Sequence, residues 1–435
     1  MTKRNDIQIP VRAGRVLGVA IAAGVAIRLA SAFAQGDVVE PLPAIHDQVS
    51  YDALARRVLD GFGFSFATAH WPATPAGEPT AHWSYLYTLY LSLVYALTGG
   101  HALAARLLQA VAVGVLQPWL SWRLANRAFG RTVGLTAAGI TALYGYFAYY
   151  GGALMTESFF IAGVLWTLDS ACALVASGRE AKLRQWLTLG LAAAVTVLLR
   201  QVFLLFVPVL FLWVFWNLRH ESLVQLAKRT IAAGAVMACL ILPWSVRNYF
   251  AFGQLALLNT SAGFAFFWGN HPIYGNEFIP ILPEDVYGDL IPKELLGLNE
   301  VQMERALLER GMGFVKQDPV RYAMLSLSRA KEYFKFWPSS ESSLTANIVR
   351  VGSFGLLLPL ALIGIGAERL GRLAPQADLR SIQLLYAFIL FYTLIHLLTW
   401  TLVRYRLPVD AVLAVFAANG AVALWQRFAG ANRAL

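Results

Sequence analysis

The amino-acid sequence predicts an all-α polytopic membrane protein of about ten transmembrane helices, and three observations carry that prediction. Of its 435 residues, 58% are hydrophobic and only 14% charged, giving a mean hydropathy of +0.56. The apolar residues fall in runs of roughly 17–25, the length that crosses a hydrocarbon core. The turns between runs carry Lys and Arg on alternate sides, the asymmetry that places basic turns in the cytoplasm. Orientation signals of this kind account for much of the formal charge of +10, so no nucleic-acid partner follows from it. Cys172 and Cys239 lie inside apolar segments, which excludes a disulfide framework or a Cys-rich metal site.

The first span, 15–33, follows Lys3, Arg4, Arg12 and Arg15. It ends in Ala32-Phe33-Ala34 as a cleaved signal would, but Arg28 interrupts the apolar run and argues for a retained helix. Further spans are expected at 102–124, 132–152, 157–176, 185–201, 202–218, 230–247, 348–366, 381–401 and 407–425. Trp83 to Leu97 is also apolar but, at about 15 residues, short for a crossing, and reads as an interfacial or re-entrant helix. On that reading Arg123, Arg127 and Arg131, then Arg179, Lys182 and Arg184, then Arg219, Lys228 and Arg229, then Arg369, Arg372 and Arg380 share one side. Arg427, Arg433 and the N-terminal basic residues join them there. The chain then divides into an N-terminal module, 1–247, containing the extracytoplasmic loop 34–101; a second extracytoplasmic loop, 248–347; and C-terminal helices, 348–435.

Within the first loop a helix is expected from about Asp47 to Asp60, closed by Gly61, with Tyr51, Leu54, Ala55, Val58 and Leu59 as its apolar stripe. Asp47 lies four residues before Tyr51 and so points the same way. Two readings are open for it: a cap of its own helix N-terminus, or an acid aimed into the protein. The second loop predicts two helices joined at Asp318-Pro319, the second ended by Pro338. Val301, Leu308, Met312 and Val315, then Val320, Ala323, Met324 and Leu327, would form the faces that lie on the membrane-embedded core.

Charged residues mark the extracytoplasmic ends of the spans: Glu157 in Leu154-Met155-Thr156-Glu157-Ser158, Arg200, Arg247 in Pro243-Trp244-Ser245-Val246-Arg247-Asn248, and Arg404 and Arg406 around Tyr405. Any one arginine is explained by snorkelling to headgroups. Four at the face where basic residues are normally scarce point instead to a bound phosphate.

These residues resemble the polyprenyl-phosphate-dependent GT-C glycosyltransferases, a group that includes the dolichyl-phosphate-mannose protein mannosyltransferases and the bacterial aminoarabinose transferases. The resemblance rests on His46-Asp47-Gln48-Val49-Ser50-Tyr51, Pro79-Thr80-Ala81, Thr156-Glu157, Pro243-Trp244 with Arg247-Asn248, Gly269-Asn270-His271-Pro272 and Arg404-Tyr405-Arg406-Leu407-Pro408, in that order. Two departures stand out: Gln48 occupies the position of a second acid, and His82-Trp83-Ser84 replaces a Pro-rich stretch. The resemblance implies a GT-C-like bundle with extracytoplasmic juxtamembrane helices, in a bacterial inner membrane with its site facing the periplasm. It implies transfer of a sugar, with inversion, from a polyprenyl-phosphate donor (undecaprenyl phosphate in a bacterium) to a lipid, glycan or protein acceptor. With no large soluble domain after the last span, acceptor selection is expected from 34–101 and 248–347.

In that reading Asp47 is the general base and Glu157 a second catalytic acid. Tyr51, His82, Arg200, Arg247, Asn270, Arg404 and Arg406 bind substrate. Asp47 and Glu157 also leave room for a divalent cation between donor phosphate and acceptor, although no spacing specifies a metal site. Two rivals share the lipid-phosphate chemistry, a lipid or solute carrier and a ligase that transfers an assembled glycan. The carrier should show internal repeats and paired broken helices, and the sequence has neither.

Overall fold

The computed structural model describes residues 11–43, 45–340, 342–369 and 377–431. Lys3, Arg4, Arg372 and Arg433, with the side chains of Arg12 and Arg369, lie outside the described part. The protein is all-α: among the described residues only isolated bridges such as Ser65–Pro79 interrupt helix and turn. Among the described residues eight helices are long and apolar enough to cross a membrane. With two shorter passes they make an integral membrane bundle of about ten.

The chain runs back and forth between two ends of this bundle. Helix α1 (Val11–Gln35) leads into α2 (Asp47–Leu59) and α3 (Tyr85–Thr98), and α4 (Ala102–Phe129) returns. Next come α5 (Arg131–Leu143), α6 (Gly145–Gly152), α7 (Glu157–Ser177), α8 (Leu183–Leu199), α9 (Val207–Leu218) and α10 (Leu223–Phe252). A long connection carries α11 (Ala262–Gly269), α12 (Glu284–Asp289), α13 (Glu300–Gln317) and α14 (Pro319–Tyr333). Helix α15 (Leu344–Arg350) continues through one π-helical turn into α16 (Leu356–Arg369), and α17 (Leu379–Leu398) and α18 (Leu407–Ala431) close the bundle. Arg123, Arg127, Arg179, Arg219 and Arg380 all belong to one end. Asp47, Glu157, Arg200 and Arg404 belong to the other.

Helix α3 does not cross. At its start Ser84 Oγ donates to the Leu198 carbonyl, at the site end of α8 (2.8 Å), and near its finish Tyr95 Oη donates to Asp52 of α2 (2.6 Å). Both ends of α3 are thus tied to the same side of the bundle, as an interfacial helix requires.

The predicted span 132–152 is corrected: it breaks at Tyr144, whose backbone is extended, into α5 and α6. Carbonyls freed by such a break find no water in hydrocarbon and need partners from the protein. Arg28 supplies them for α5, donating to Thr141 O (3.2 Å), Ala142 O (3.2 Å) and Gln117 Oε1 (2.8 Å). Arg106 and Gln109 do so for α6, reaching Gly152 O (2.7 Å) and Ala153 O (2.6 Å). The charge that spoiled a signal peptide therefore has a structural use. At the far side α16 and α18 cross at Gly364 and Gly420, where a Cβ on either would overlap the facing backbone carbonyl.

Two apolar faces differ from expectation. On α2, Tyr51, Leu54 and Ala55 are buried, but Leu59 is 45% exposed because the helix outruns its support. On α14 the stripe is reversed: Val320, Met324 and Leu327 are exposed, while Leu325, Arg329 and Tyr333 face inward. Arg329 sets that rotation by donating to Leu397 O (2.9 Å), Asn270 Oδ1 (2.8 Å) and Gly269 O. On α13, Val301, Met303 and Leu307 are buried, and Leu308 and Met312 are about two-fifths exposed. Asp318 caps α14 as predicted, through Arg321 N (2.8 Å), but the helix stops at Tyr333, short of Pro338.

Sidedness is testable with single cysteines in a Cys239→Ser background. Arg131→Cys and Glu78→Cys, both on exposed residues, should be labelled by a membrane-impermeant maleimide from opposite faces of sealed vesicles. Labelling of both from one face would mean that α3 crosses.

Candidate active site

Asp47 opens α2, with His46 rather than Asp47 in the capping position, and His46 makes no side-chain cap bond. The Asp47 carboxylate turns instead to Arg404, in the turn before α18. Arg404 Nη1 donates to Oδ2 at 2.6 Å and Nη2 to Oδ1 at 3.4 Å, a two-point pair between residues 357 apart in sequence. This geometry decides between the two readings of Asp47: it is an inward-facing acid.

Glu157 lies beneath the same guanidinium. Its Oε1 accepts from Arg404 Nη1 at 3.4 Å and lies 3.2 Å from Arg200 Nη2. The side chains are 24% exposed for Asp47, 17% for Arg200, 8% for Arg404 and 2% for Glu157. Two acids and two arginines alternate at the boundary of the hydrocarbon, where each charge alone would be costly. Tyr405 completes the group, its ring centroid 5.0 Å from the Arg200 guanidinium carbon and 5.2 Å from that of Arg404.

Asp47, Arg200 and Arg404 line a cavity of about 950 Å³ that also receives Tyr51, His70, Trp71, His82, Trp83, Trp268, Glu304 and Trp400. Tyr51 Oη accepts from Ser84 N at 3.3 Å, and its ring meets Trp83 and Tyr87 edge-on. Burial drives His82 below the usual histidine range and His70 to about 4, so the His70 ring is neutral at pH 7. For Asp47 burial pushes upward, but Arg404, helped by Arg200 and His82, outweighs it and holds the carboxyl below its usual range. An ionised Asp47 is the result.

Three expected ligands lie elsewhere. Arg247 clamps loop backbone, donating to Thr80 O (2.9 Å) and Phe64 O (3.2 Å). Arg406 is buried against Asp410 (2.9 Å) and the Phe354 ring, with Asp410 accepting from Tyr144 Oη (2.7 Å). Asn270 is buried beneath Arg329, away from the cavity. Each obeys the rule that a buried polar group must find a partner, and for these three the partner is the protein's own backbone or side chains.

The space between Asp47 and Glu157 is taken by the Arg404 guanidinium, which bonds to both. Among the described residues no group of three or more His, Cys, Asp or Glu side chains is arranged to hold a metal. Sequence reasoning missed His70, Trp71, Trp268, Glu304 and Trp400 as lining residues. Aromatic residues in loops gave a faint signal. Glu304 gave none, being one acid among several on an amphipathic helix.

Loop 34–101 and the α11–α14 segment cover this cavity together, and Glu300 locks them. Its carboxylate accepts from Ala81 N (2.7 Å), Thr80 Oγ1 (2.7 Å), Thr74 Oγ1 (3.1 Å) and Thr260 Oγ1.

A family profile described as dolichyl-phosphate-mannose-protein mannosyltransferase matches residues 84–246. The fold is similar to that of AglB, an oligosaccharyltransferase from Archaeoglobus fulgidus solved with an inhibitory peptide and a dolichol-phosphate. The TM-score is 0.61 at 15% identity, over 98% of this chain and 52% of that one. An Archaeoglobus fulgidus oligosaccharyltransferase in the apo form gives 0.61 at 16%, over 95% and 51%. ArnT from Cupriavidus metallidurans in the apo state matches at 0.40 and 17%, over 94% and 76%. No curated protein matches by sequence. The chain spans about half the length of the archaeal structures it matches. The resemblance to GT-C glycosyltransferases read from the sequence holds, and the fold is a GT-C-like bundle.

Removing Arg404 should leave Asp47 buried without its partner. Arg404→Ala is expected to cost about 3–5 kcal/mol, the scale for breaking a buried ion pair. In the native protein the pair's contribution is present above the ordinary carboxylate pKa and fades only as pH falls through the lowered value of Asp47. Without Arg404 the buried carboxylate loses its main partner and its protonation relieves the cost, so the deficit of Arg404→Ala against the native protein should shrink as pH falls, and adding Asp47→Asn should restore stability. Equal unfolding midpoints for single and double variants would show that the pair does not hold α2 to the turn before α18.

Proposed function

We propose that this chain is a glycosyltransferase that moves one sugar from a polyprenyl-phosphate monosaccharide, undecaprenyl phosphate being the natural carrier in a bacterium, to a hydroxyl of a lipid, glycan or protein acceptor. One observation carries the reading: Asp47 and two arginines converge on a single cavity wall. In the same cavity Leu199, Val202, Leu204, Leu205, Ile395 and Leu402 offer an apolar lining for a lipid chain. By the positive-inside rule the basic end is cytoplasmic and the site faces the periplasm of an inner membrane. Residues 1–247 then supply base and acid, 248–347 the cover, and 348–435 Arg404.

The acceptor hydroxyl attacks the anomeric carbon and gives its proton to Asp47. The bond from that carbon to the phosphate oxygen breaks, the lipid phosphate leaves with an added negative charge, and the anomeric centre inverts. Arg200 and Arg404 stabilise that charge as it develops. Arg404 also links the two events, since phosphate competing for its guanidinium loosens the grip on Asp47 and makes the carboxylate a stronger base. Glu157, buried under both arginines, orients them and lowers the net charge of the empty site. A volume of about 950 Å³ lies at the upper end of ordinary small-molecule sites, ~300–1,000 Å³, and suits a single sugar better than an assembled polymer.

Protein in lipid vesicles, offered synthetic undecaprenyl-phosphate sugars and envelope extract as acceptor source, should transfer one sugar. Asp47→Asn should lower turnover by ~10²-fold or more, and Arg200→Ala by about as much through leaving-group stabilisation. Asp52→Asn is the control, since Asp52 pairs with Arg56 and Tyr95 outside the cavity. Normal turnover in Asp47→Asn, with the protein folded, would remove Asp47 as the base.

A further inference from the structure

The wall of the cavity beyond Asp47 carries chemistry that the phosphate end does not use. His82 leads into it: it lines the same cavity as Asp47, and the residues just before it, Thr80 and Ala81, are bonded to Glu300 of the cover. Trp71, Trp83 and Phe264 surround that ring at centroid distances of 5.6, 5.3 and 5.6 Å. Trp268 stacks on Trp71 (5.3 Å, 22°) and meets Trp400 edge-on at 5.9 Å. Set among these rings are buried polar atoms with no partner in the protein: His82 Nδ1, Trp83 Nε1, Glu304 Oε2 and Trp400 Nε1. Glu304 uses only its other oxygen, accepting from Gly263 N at 3.2 Å.

Buried polar atoms are ordinarily paired; these four belong to residues that line the cavity, where a ligand can pair them. The surface is apolar and flat in its rings, yet studded with two N–H donors, a ring nitrogen and a carboxyl oxygen. A sugar ring has the complementary form, with C–H faces for aromatic stacking and equatorial hydroxyls for hydrogen bonds. A Ser or Thr side chain brings one hydroxyl and no such face. Burial also raises Glu304 to about 8, so at neutral pH it serves as a neutral carboxylic acid able to donate to a hydroxyl or accept from one.

We infer that the wall formed by Trp71, His82, Phe264, Trp268, Glu304 and Trp400 is a subsite for a hydroxylated six-membered sugar ring, and that the ring it holds is the acceptor's. The assignment to the acceptor rests on the proposed transfer reaction, in which Arg200 and Arg404 hold the donor's phosphate and His82 carries the wall up to the base.

The test is saturation-transfer NMR on the full chain in nanodiscs, with methyl α-D-glucopyranoside, methyl α-D-mannopyranoside and methyl β-D-galactopyranoside as probes. At least one glycoside should show transfer to its ring protons, reduced several-fold in Trp400→Ala and in Glu304→Leu but retained in Asp47→Asn. Glu304→Gln, which keeps shape and hydrogen bonding, should retain much of the signal and guards against a folding artefact. Undecaprenyl-phosphate-glucose should leave the glycoside bound; displacement by it would give the wall to the donor's sugar and overturn the acceptor assignment. No transfer from any glycoside, or a signal unchanged in both wall variants, or displacement by a Ser/Thr peptide, would overturn the subsite. Because binding is read and not turnover, a failure of the transfer assay and a failure of this assignment are distinguishable.

Discussion

The site depends on the Arg404 guanidinium, which joins Asp47 of α2, Glu157 of α7 and, through Glu157, Arg200 at the end of α8. Four charges at the edge of a hydrocarbon core are tolerable only because they alternate in sign at hydrogen-bond distance. The same arrangement makes the cluster responsive. Any anion entering the cavity must compete with two carboxylates for two guanidinium groups, so binding at one end of the network is felt by Asp47 at the other.

Around this cluster the fold solves a second problem, that of unpaired backbone inside a membrane protein. The break between α5 and α6 is held by Arg28 and, further along, by Arg106 and Gln109. Arg329 does the same for the turn after α11, and Arg247 for the first loop. Several arginines of this protein therefore hold its own backbone. They carry several donors on one rigid group, which suits them to collecting carbonyls from different segments. The arginines near a ligand cavity and the arginines that hold irregular backbone are the same residue type at similar places in the sequence.

The cover is built on the opposite principle, an acid among donors. Glu300 accepts from three threonines and one backbone N–H drawn from both loops, which turns two long connections into one wall. That wall carries aromatic rings where the arginine cluster carries charge. The cavity thus has chemically different regions within one enclosure, one charged and one aromatic.

Much of this was legible in the residue order. Composition and run length gave the class, alternating basic turns gave a count of about ten passes, and the shortness of Trp83 to Leu97 set α3 apart from the long spans. The helical phase of Asp47 with Tyr51 pointed the acid inward. These are local quantities, set by hydrophobicity and by a period of 3.6 residues. The sequence could not show which of Arg200, Arg247, Arg404 and Arg406 meet, since their spacing along the chain says nothing of which carbonyl or carboxylate each finds. The rotation of α14 was hidden for the same reason: its apolar stripe competed with Arg329, whose partners Gly269, Asn270 and Leu397 come from distant segments. The wall of Trp71, Trp268, Glu304 and Trp400 exists only when two loops are brought together. Periodicity along the chain determined which segments cross and which way Asp47 faces, whereas pairing across it, where buried donors and charges are satisfied by residues hundreds of positions away, was decided by tertiary structure alone.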